Sequence, residues 1–180
     1  RKFRSRFPAI VVIPQCLTDH WWSAPDMQAV ALASLEAATK EFHGNPKRTY
    51  LTGLSMGGYG TWALAIAHPG KFAAIAPICG GIVVPPHFRE QHPELKNIGY
   101  DDDPKSYADA ASKIGKTPTW IFHGGDDHVV PVEGSRKMND AIKAAGGDVR
   151  YSEYAGVDHN SWDKAYAEPE FATWLLSKSL

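Results

Sequence analysis

Short β-rich runs alternate along this chain with longer segments of helical spacing, and that alternation leaves few folds open. Residues 8–14 form a continuous apolar run between prolines, which predicts a strand buried on both faces. Residues 48–53 alternate, residues 72–78 are apolar throughout, residues 119–123 read as another buried strand, and residues 149–154 alternate again; each predicts a strand. Helical patterns lie between them. Ser23-Ala24-Pro25-Asp26 opens one, in which Met27, Val30, Ala31, Leu35 and Ala38 recur before a stop near His43-Gly44. Others span residues 57–68, 106–114, 132–145 and 169–177. Strands separated by helices of ten or more residues predict an α/β class fold, a mostly parallel central sheet with helices on both faces. Without repeats or a low-complexity linker, residues 1–180 read as one domain.

A chain of 180 residues is long enough to bury about 70% of the surface its unfolded form would expose. Its net charge of −1 offers no attraction to nucleic acid or to an anionic membrane, and the basic start at residues 1–6 is too short to alter that. The apolar run at residues 9–13 is far too short to span a bilayer and lacks the features of a signal peptide. The chain does not start with methionine, which predicts processing or truncation; the start therefore carries no readable address. Cys16 and Cys79 are too few for a disulfide scaffold and have no metal-ligand spacing. His87 and His92 beside Asp101-Asp102-Asp103 invite a metal reading, but a solvated loop accounts for them and no metal or cofactor is expected. Oligomeric state is not legible in the sequence.

The junction between the second strand and its helix reads Gly53-Leu54-Ser55-Met56-Gly57, a G-x-S-x-G pattern. A serine hydroxyl attacks poorly unless a base takes its proton, and a sharp strand-to-helix turn would present that hydroxyl above the sheet. Gly53 and Gly57 are expected to remove side chains that would clash in such a turn. The following helix points its N-terminus at the reaction, with the Met56 amide as an oxyanion donor. Functional groups of a parallel sheet gather at the carboxyl ends of its strands. Two later strand ends carry Asp126-Asp127 and Asp158-His159, so the chain order is Ser, Asp, His. Each residue alone has an ordinary explanation as a turn or loop cap; together they predict nucleophilic catalysis. Asp126, Asp127 and Asp158 all remain candidates for the carboxylate, although neighbours such as Asp158 and His159 rarely orient each other.

At this point the chain resembles a bacterial α/β-hydrolase esterase of the phospholipase/carboxylesterase group. It is especially similar to the "predicted peptidase" branch, related to feruloyl esterases and polyhydroxybutyrate depolymerases. The resemblance rests on Val11–Trp22, RTYLTGLSMGGYGTWALA at residues 48–65, FAAIAPICGG at 72–81, IFHGGDDHVVPVEGS at 121–135 and YAGVDHNSWDKAY at 154–166. It covers most of the chain outside residues 82–116. In that family the acid lies four residues before the proline of H-G-x-x-D-x-x-V-P, which implies Asp127 as the partner of His159 and Ser55 as nucleophile. The resemblance also implies an earlier strand ending in a His-Gly loop that supplies a second oxyanion donor. Nothing before Pro8 matches it, so the chain is expected to be the C-terminal portion of a larger fold. The family's strand order would place the strands before Cys16 and Cys79 about 14 Å apart, too far for a disulfide. The resemblance favours secretion over a cytoplasmic setting.

The expected substrate is a small-molecule carboxylic ester, with no nucleic acid partner and no membrane span. Trp21, Trp22 and Trp162 are expected on loops at the catalytic end, where Trp22 and Trp162 could wall a pocket for an aryl or hydroxycinnamoyl group or simply pack. A peptidase of the same fold, or a binding module that kept the fold without the chemistry, are the competing readings. Residues 82–116 read either as a partial cover over the site or as a surface excursion.

Overall fold

The computed structural model describes residues 7–91, 95 and 99–180; the basic start at residues 1–6 and His92 lie outside them. Four strands, β1 (Tyr50–Leu54), β2 (Ala74–Ile78), β3 (Thr119–Gly124) and β4 (Val149–Tyr154), form one parallel sheet in the order β1-β2-β3-β4. Around it lie α1 (Pro25–Glu41), α2 (Met56–Ala67), α3 (Pro86–Gln91), α4 (Pro104–Ile114), α5 (Glu133–Ala144), α6 (Trp162–Ala167) and α7 (Phe171–Leu176).

Every strand is added on the same side of its predecessor, so right-handed crossovers place their connecting helices on a single face. That is where α2, α4 and α5 pack: Trp62, Leu64, Tyr107, Ala110, Met138 and Ile142 share a buried cluster with Ile75 and Ile121. The alternate residues of the same strands, Ala74, Ala76, Ile78, Trp120 and Phe122, face the other way onto Phe171, Trp174 and Leu175. The chain after β4 thus supplies the second cover. All residues of β2 and β3 are buried, which explains why neither run alternates between apolar and polar residues.

Several boundaries shift for local reasons. Asn45 accepts a hydrogen bond from the Lys47 amide and Pro46 opens one 3₁₀ turn, which consumes Arg48 and delays the predicted strand to Tyr50. Pro25, not Ser23, opens α1, and no side chain caps it. Of its expected core positions only Met27 is buried; Val30 stays exposed. The predicted last helix is α7, and a further short helix, α6, precedes it. Residues 82–116 contain α3 and α4 within their described part.

One expectation fails outright. Residues 8–14 form no strand, and Ile10, Val11 and Ile13 are exposed. A strand buried on both faces requires a hydrogen-bonding neighbour, and β1, at the end of the sheet, pairs only with β2. Cys16 and Cys79 are unpaired, as expected, with Cys79 buried.

Candidate active site

Ser55 sits between β1 and α2 with φ 51° and ψ −119°, a left-handed backbone that a residue with a Cβ rarely adopts. Its amide donates to the Ile78 carbonyl at 3.0 Å, while its own carbonyl accepts from the Gly58 and Tyr59 amides at 2.8 and 3.1 Å. The strained turn is thereby pinned to β2 and to the first turn of α2. The glycines around it do unequal work. A Cβ on Gly53 would lie 2.3 Å from the Gly57 carbonyl oxygen, and one on Gly58 would lie 2.5 Å from the Ile78 oxygen. A Cβ on Gly57 would meet nothing within 4 Å, so the expectation that both motif glycines relieve a clash holds for Gly53 alone. The space above Gly57 is open because its Cα sits at the free start of α2, whereas Gly58 is pressed onto the loop after β2. The second pair of close approaches, Gly58 and Gly60, could have been suspected from the repeated glycines of Gly57-Gly58-Tyr59-Gly60, but not assigned to partners.

The three strand ends come together. His159 Nε2 lies 2.9 Å from Ser55 Oγ, and His159 Nδ1 lies 2.8 Å from Asp127 Oδ2. Nδ1 faces a carboxylate and therefore carries the proton, which leaves Nε2 to accept the serine hydroxyl. Asp127 Oδ1 is occupied separately, by the Val129 and Val130 amides at 2.9 and 2.8 Å. Its side chain is fully buried, whereas that of His159 is 19% exposed, so the imidazole is open to solvent and its carboxylate partner is not. Burial alone would favour protonation of Asp127. The hydrogen bonds from His123 and His159 and from the Val130 and Val129 amides outweigh it, holding the carboxyl well below the usual carboxylate range.

Of the three carboxylates that remained open in the sequence, Asp127 alone bonds to the His159 ring. Asp126 stays exposed. Asp158 has a different place: its Oδ1 accepts from the His128 amide at 3.0 Å and the His159 amide at 2.7 Å. It ties the loop bearing the acid to the loop bearing the base. Gly124 permits that approach, since a Cβ there would lie 2.4 Å from the Val157 and Asp158 carbonyl oxygens. Among the described residues neither the Met56 nor the Gly57 amide has an acceptor, and both begin α2, as an oxyanion site requires.

The tryptophans divide. Trp162 is the first residue of α6, not a loop residue as expected, and its ring meets His159 edge-on at 5.4 Å. Trp22 packs against α2, its Cβ occupying the place a side chain on Gly60 would need. Trp21 is buried against Tyr59 and Phe88. A cavity of about 630 Å³ lies beside the site, between α3, α4 and the start of α5, lined in part by Tyr59, Val84, Arg89, Val130 and Lys137.

The acidic stretch singled out for metal binding is used otherwise: Asp102 pairs with Lys137 at 2.7 Å and Asp103 caps α4 through the Ser106 amide at 2.8 Å. Among the described residues the one grouping with metal-ligand spacing is Cys79, Asp127 and His159, whose ligand atoms lie within 4.8 Å of one another. Burial pushes the Cys79 thiol up to about 11, and a cation there would have to break the Asp127–His159 bond, so the donor set fits a metal poorly.

A model of the prolyl oligopeptidase family matches residues 24–177, which include all three residues of the Ser55–His159–Asp127 chain. The chain belongs to the prolyl oligopeptidase family. It is 25% identical over 151 residues to poly(3-hydroxyalkanoate) depolymerase C of Paucimonas lemoignei, a match that covers 77% of this chain and 34% of the relative. It is 33% identical over 98 residues to poly(3-hydroxyoctanoate) depolymerase of Pseudomonas fluorescens, covering 48% of this chain and 26% of that one. The crystal structure of a thermostable esterase superposes with a TM-score of 0.63 at 35% identity, over 84% of this chain and 37% of that structure. The fold is that of an α/β-hydrolase, and the expected kinship with esterases and depolymerases is present. The chain spans between about a quarter and about a third of the length of the curated relatives it matches.

Proposed function

We propose that this chain carries the catalytic centre of a serine hydrolase acting on carboxylic esters. The continuous hydrogen-bonded chain from Ser55 Oγ through His159 to Asp127, built on a left-handed serine, carries this reading. Ser55 Oγ attacks the ester carbonyl while His159 Nε2 takes the hydroxyl proton. Asp127 holds the Nδ1–H tautomer and stabilises the imidazolium that forms. The developing oxyanion is received at the start of α2 by the Met56 amide. Collapse expels the alcohol, which leaves with the proton from His159, and forms an acyl-Ser55 ester. Water attacks that ester with His159 again as base, releasing the acid and restoring Ser55.

The depolymerase and esterase names of the relatives favour an ester over an amide as substrate. An aryl or hydroxycinnamoyl acyl group is the finer proposal, supported by the Trp162 ring beside His159. A peptidase is the alternative that the family's name suggests, and a binding module is disfavoured by the intact triad geometry.

Intact-mass spectrometry of the purified protein after a serine-directed fluorophosphonate, followed by peptide mapping, tests the reading. A single adduct on Ser55, absent in Ser55→Ala and His159→Ala, is expected; a folded protein that takes no adduct overturns it. Rates on an activated ester and on a peptide then separate esterase from peptidase.

A further inference from the structure

Behind Asp127 the hydrogen-bonded chain continues into the core. His123 is the penultimate residue of β3 and is fully buried. It shares the strand face of Thr119 and Ile121, the face covered by α5, and so its ring is directed toward Ser135. Its Nε2 lies 3.2 Å from Asp127 Oδ2 and 3.1 Å from the Val130 carbonyl oxygen. Its Nδ1 lies 2.7 Å from Ser135 Oγ. None of these three contacts takes part in the mechanism above, which leaves this buried imidazole without a role.

The contacts decide its tautomer. Nε2 faces two oxygen acceptors and no donor, so it must carry a hydrogen; a bare nitrogen there would set three lone pairs against one another. Nδ1 then accepts, and the Ser135 hydroxyl is the donor that fills it. The hydroxyl's other neighbour, the Gly80 carbonyl, is 3.5 Å away and a weaker claimant. Ser135 therefore selects the Nε2–H form, whose hydrogen lies between the Val130 carbonyl oxygen and Asp127 Oδ2, the oxygen that serves His159.

The geometry points to His123 as a positioning residue for the triad, fixed in its tautomer by Ser135 and holding Asp127 Oδ2 in the line between itself and His159. The inference rests on the serine-hydrolase reading. With Oδ1 tied to two backbone amides and Oδ2 to two imidazoles, the carboxylate has no rotation open to it. Pinned in this way, the carboxylate keeps its charge directed at the imidazolium of His159 during attack. The arrangement lengthens the series of polar contacts to Ser55, His159, Asp127, His123 and Ser135, drawn from the ends of three strands and the start of α5.

Other titratable groups around the pair leave the readout clean. Glu153 on β4 is held by Arg136 and its carboxyl is lowered to about 2. Burial raises the Tyr59 hydroxyl far above its ordinary value and the Cys79 thiol to about 11. None of the three titrates between pH 4 and 9, so none of them contributes to the acidic limb of kcat/KM.

Steady-state hydrolysis of p-nitrophenyl butyrate, measured from pH 4 to 9, tests the inference on His123→Phe, His123→Gln and Ser135→Ala. Removing the Nε2 donor in His123→Phe is expected to lower kcat by up to about 100-fold at nearly constant KM, because Asp127 and the base it aligns lose their register. The acidic limb should also move to higher pH, since a carboxylate relieved of one donor draws the His159 proton more strongly. A purely structural role would not move that limb. His123→Gln, which places an amide N–H near the former Nε2, should recover part of both effects; Ser135→Ala should show the same two changes several-fold weaker. Wild-type kcat and an unmoved limb in His123→Phe overturn the inference, as does a Gln variant no better than Phe. If His123→Phe does not fold, Ser135→Ala decides, since it leaves the ring in place: an unchanged kcat and profile overturn the inference. Failure of the underlying reading looks different, because the unmodified protein would then neither hydrolyse the ester nor label at Ser55.

Discussion

Substituting alanine at Gly53 and at Gly57 separates two glycines that the G-x-S-x-G pattern treats as equivalent. An alanine Cβ at Gly53 would lie 2.3 Å from the Gly57 oxygen and 2.5 Å from the Gly57 carbonyl carbon, about 1 Å inside ordinary contact. Both atoms are backbone and belong to the first turn of α2, so no side chain can swing aside. Relief requires the β1–α2 turn to open by roughly that distance, and overpacking of this kind costs about 1–3 kcal/mol. For a chain of this size that is a fall in Tm of about 2–12 °C. Ser55 lies within the displaced turn, and its 2.9 Å hydrogen bond to His159 would be lost; a misplacement of about 1 Å costs on the order of 100-fold in rate. Gly57→Ala should behave in the opposite way. Its Cβ enters open space, its φ is not positive, and it is the second residue of a helix, where alanine is favoured over glycine by up to about 1 kcal/mol. Differential scanning calorimetry of the two variants, with the rate of fluorophosphonate labelling measured alongside, is the assay. Equal loss of stability in both, or a Gly53→Ala protein that melts and labels like the parent, would refute the steric reasoning.

Asp127→Asn should retain the fold and KM but lower kcat by about 10⁴-fold, because an amide presents the wrong hydrogen to His159 Nδ1; steady-state kinetics with a melting curve checks it. Asp158→Ala removes the acceptor shared by the His128 and His159 amides and should lower both Tm and kcat, with most of the kinetic loss in kcat. A dithionitrobenzoate titration at pH 8 should find Cys16 reacting before Cys79, which is fully buried and whose thiol is pushed up to about 11, and both reacting once the protein is denatured. Folding lowers the Glu153 carboxyl to about 2 through Arg136, so its contribution to stability is complete above the usual carboxylate range and is lost as the pH falls toward 2. The Tm of Glu153→Gln should accordingly depend less on pH over that interval.

The sheet was legible where neighbours in sequence decide the outcome. Residues 72–78 and 120–122 put apolar side chains on both faces because β2 and β3 are the two inner strands, and each predicted strand is met within two residues. Residues 8–14 carry the same signal and form no strand, because a ladder needs a partner that the local pattern cannot specify. The additional helix α6, ahead of the predicted α7, was hidden for a related reason. Trp162 looks like a loop residue beside His159-Asn160-Ser161, and only the packing of Ala165 and Phe171 onto β3 makes it the start of a helix.

For the site, residue type and chain order brought forward Ser55 and His159 but left three carboxylates open, and only the resemblance to the esterase family singled out Asp127. What surrounds them was not legible, and the reason is geometric. His123 stands in the same H-G-x-x-D-x-x-V-P stretch as Asp127, four residues before it, yet its relation to the carboxylate depends on β3 ending as the chain turns back under itself. Ser135 is twelve positions further on, and its hydroxyl reaches the ring only because α5 packs on the strand face that His123 occupies. Asp158 shows the converse. Its position next to His159 argued against its orienting that ring, correctly, but concealed its bond to the His128 amide thirty residues earlier. A motif names the groups that react; the groups that hold them are selected by which strand ends and helix starts become neighbours in space. Substitutions at His123, Ser135 and Asp158 are therefore where this site can fail without any change to the residues that mark it.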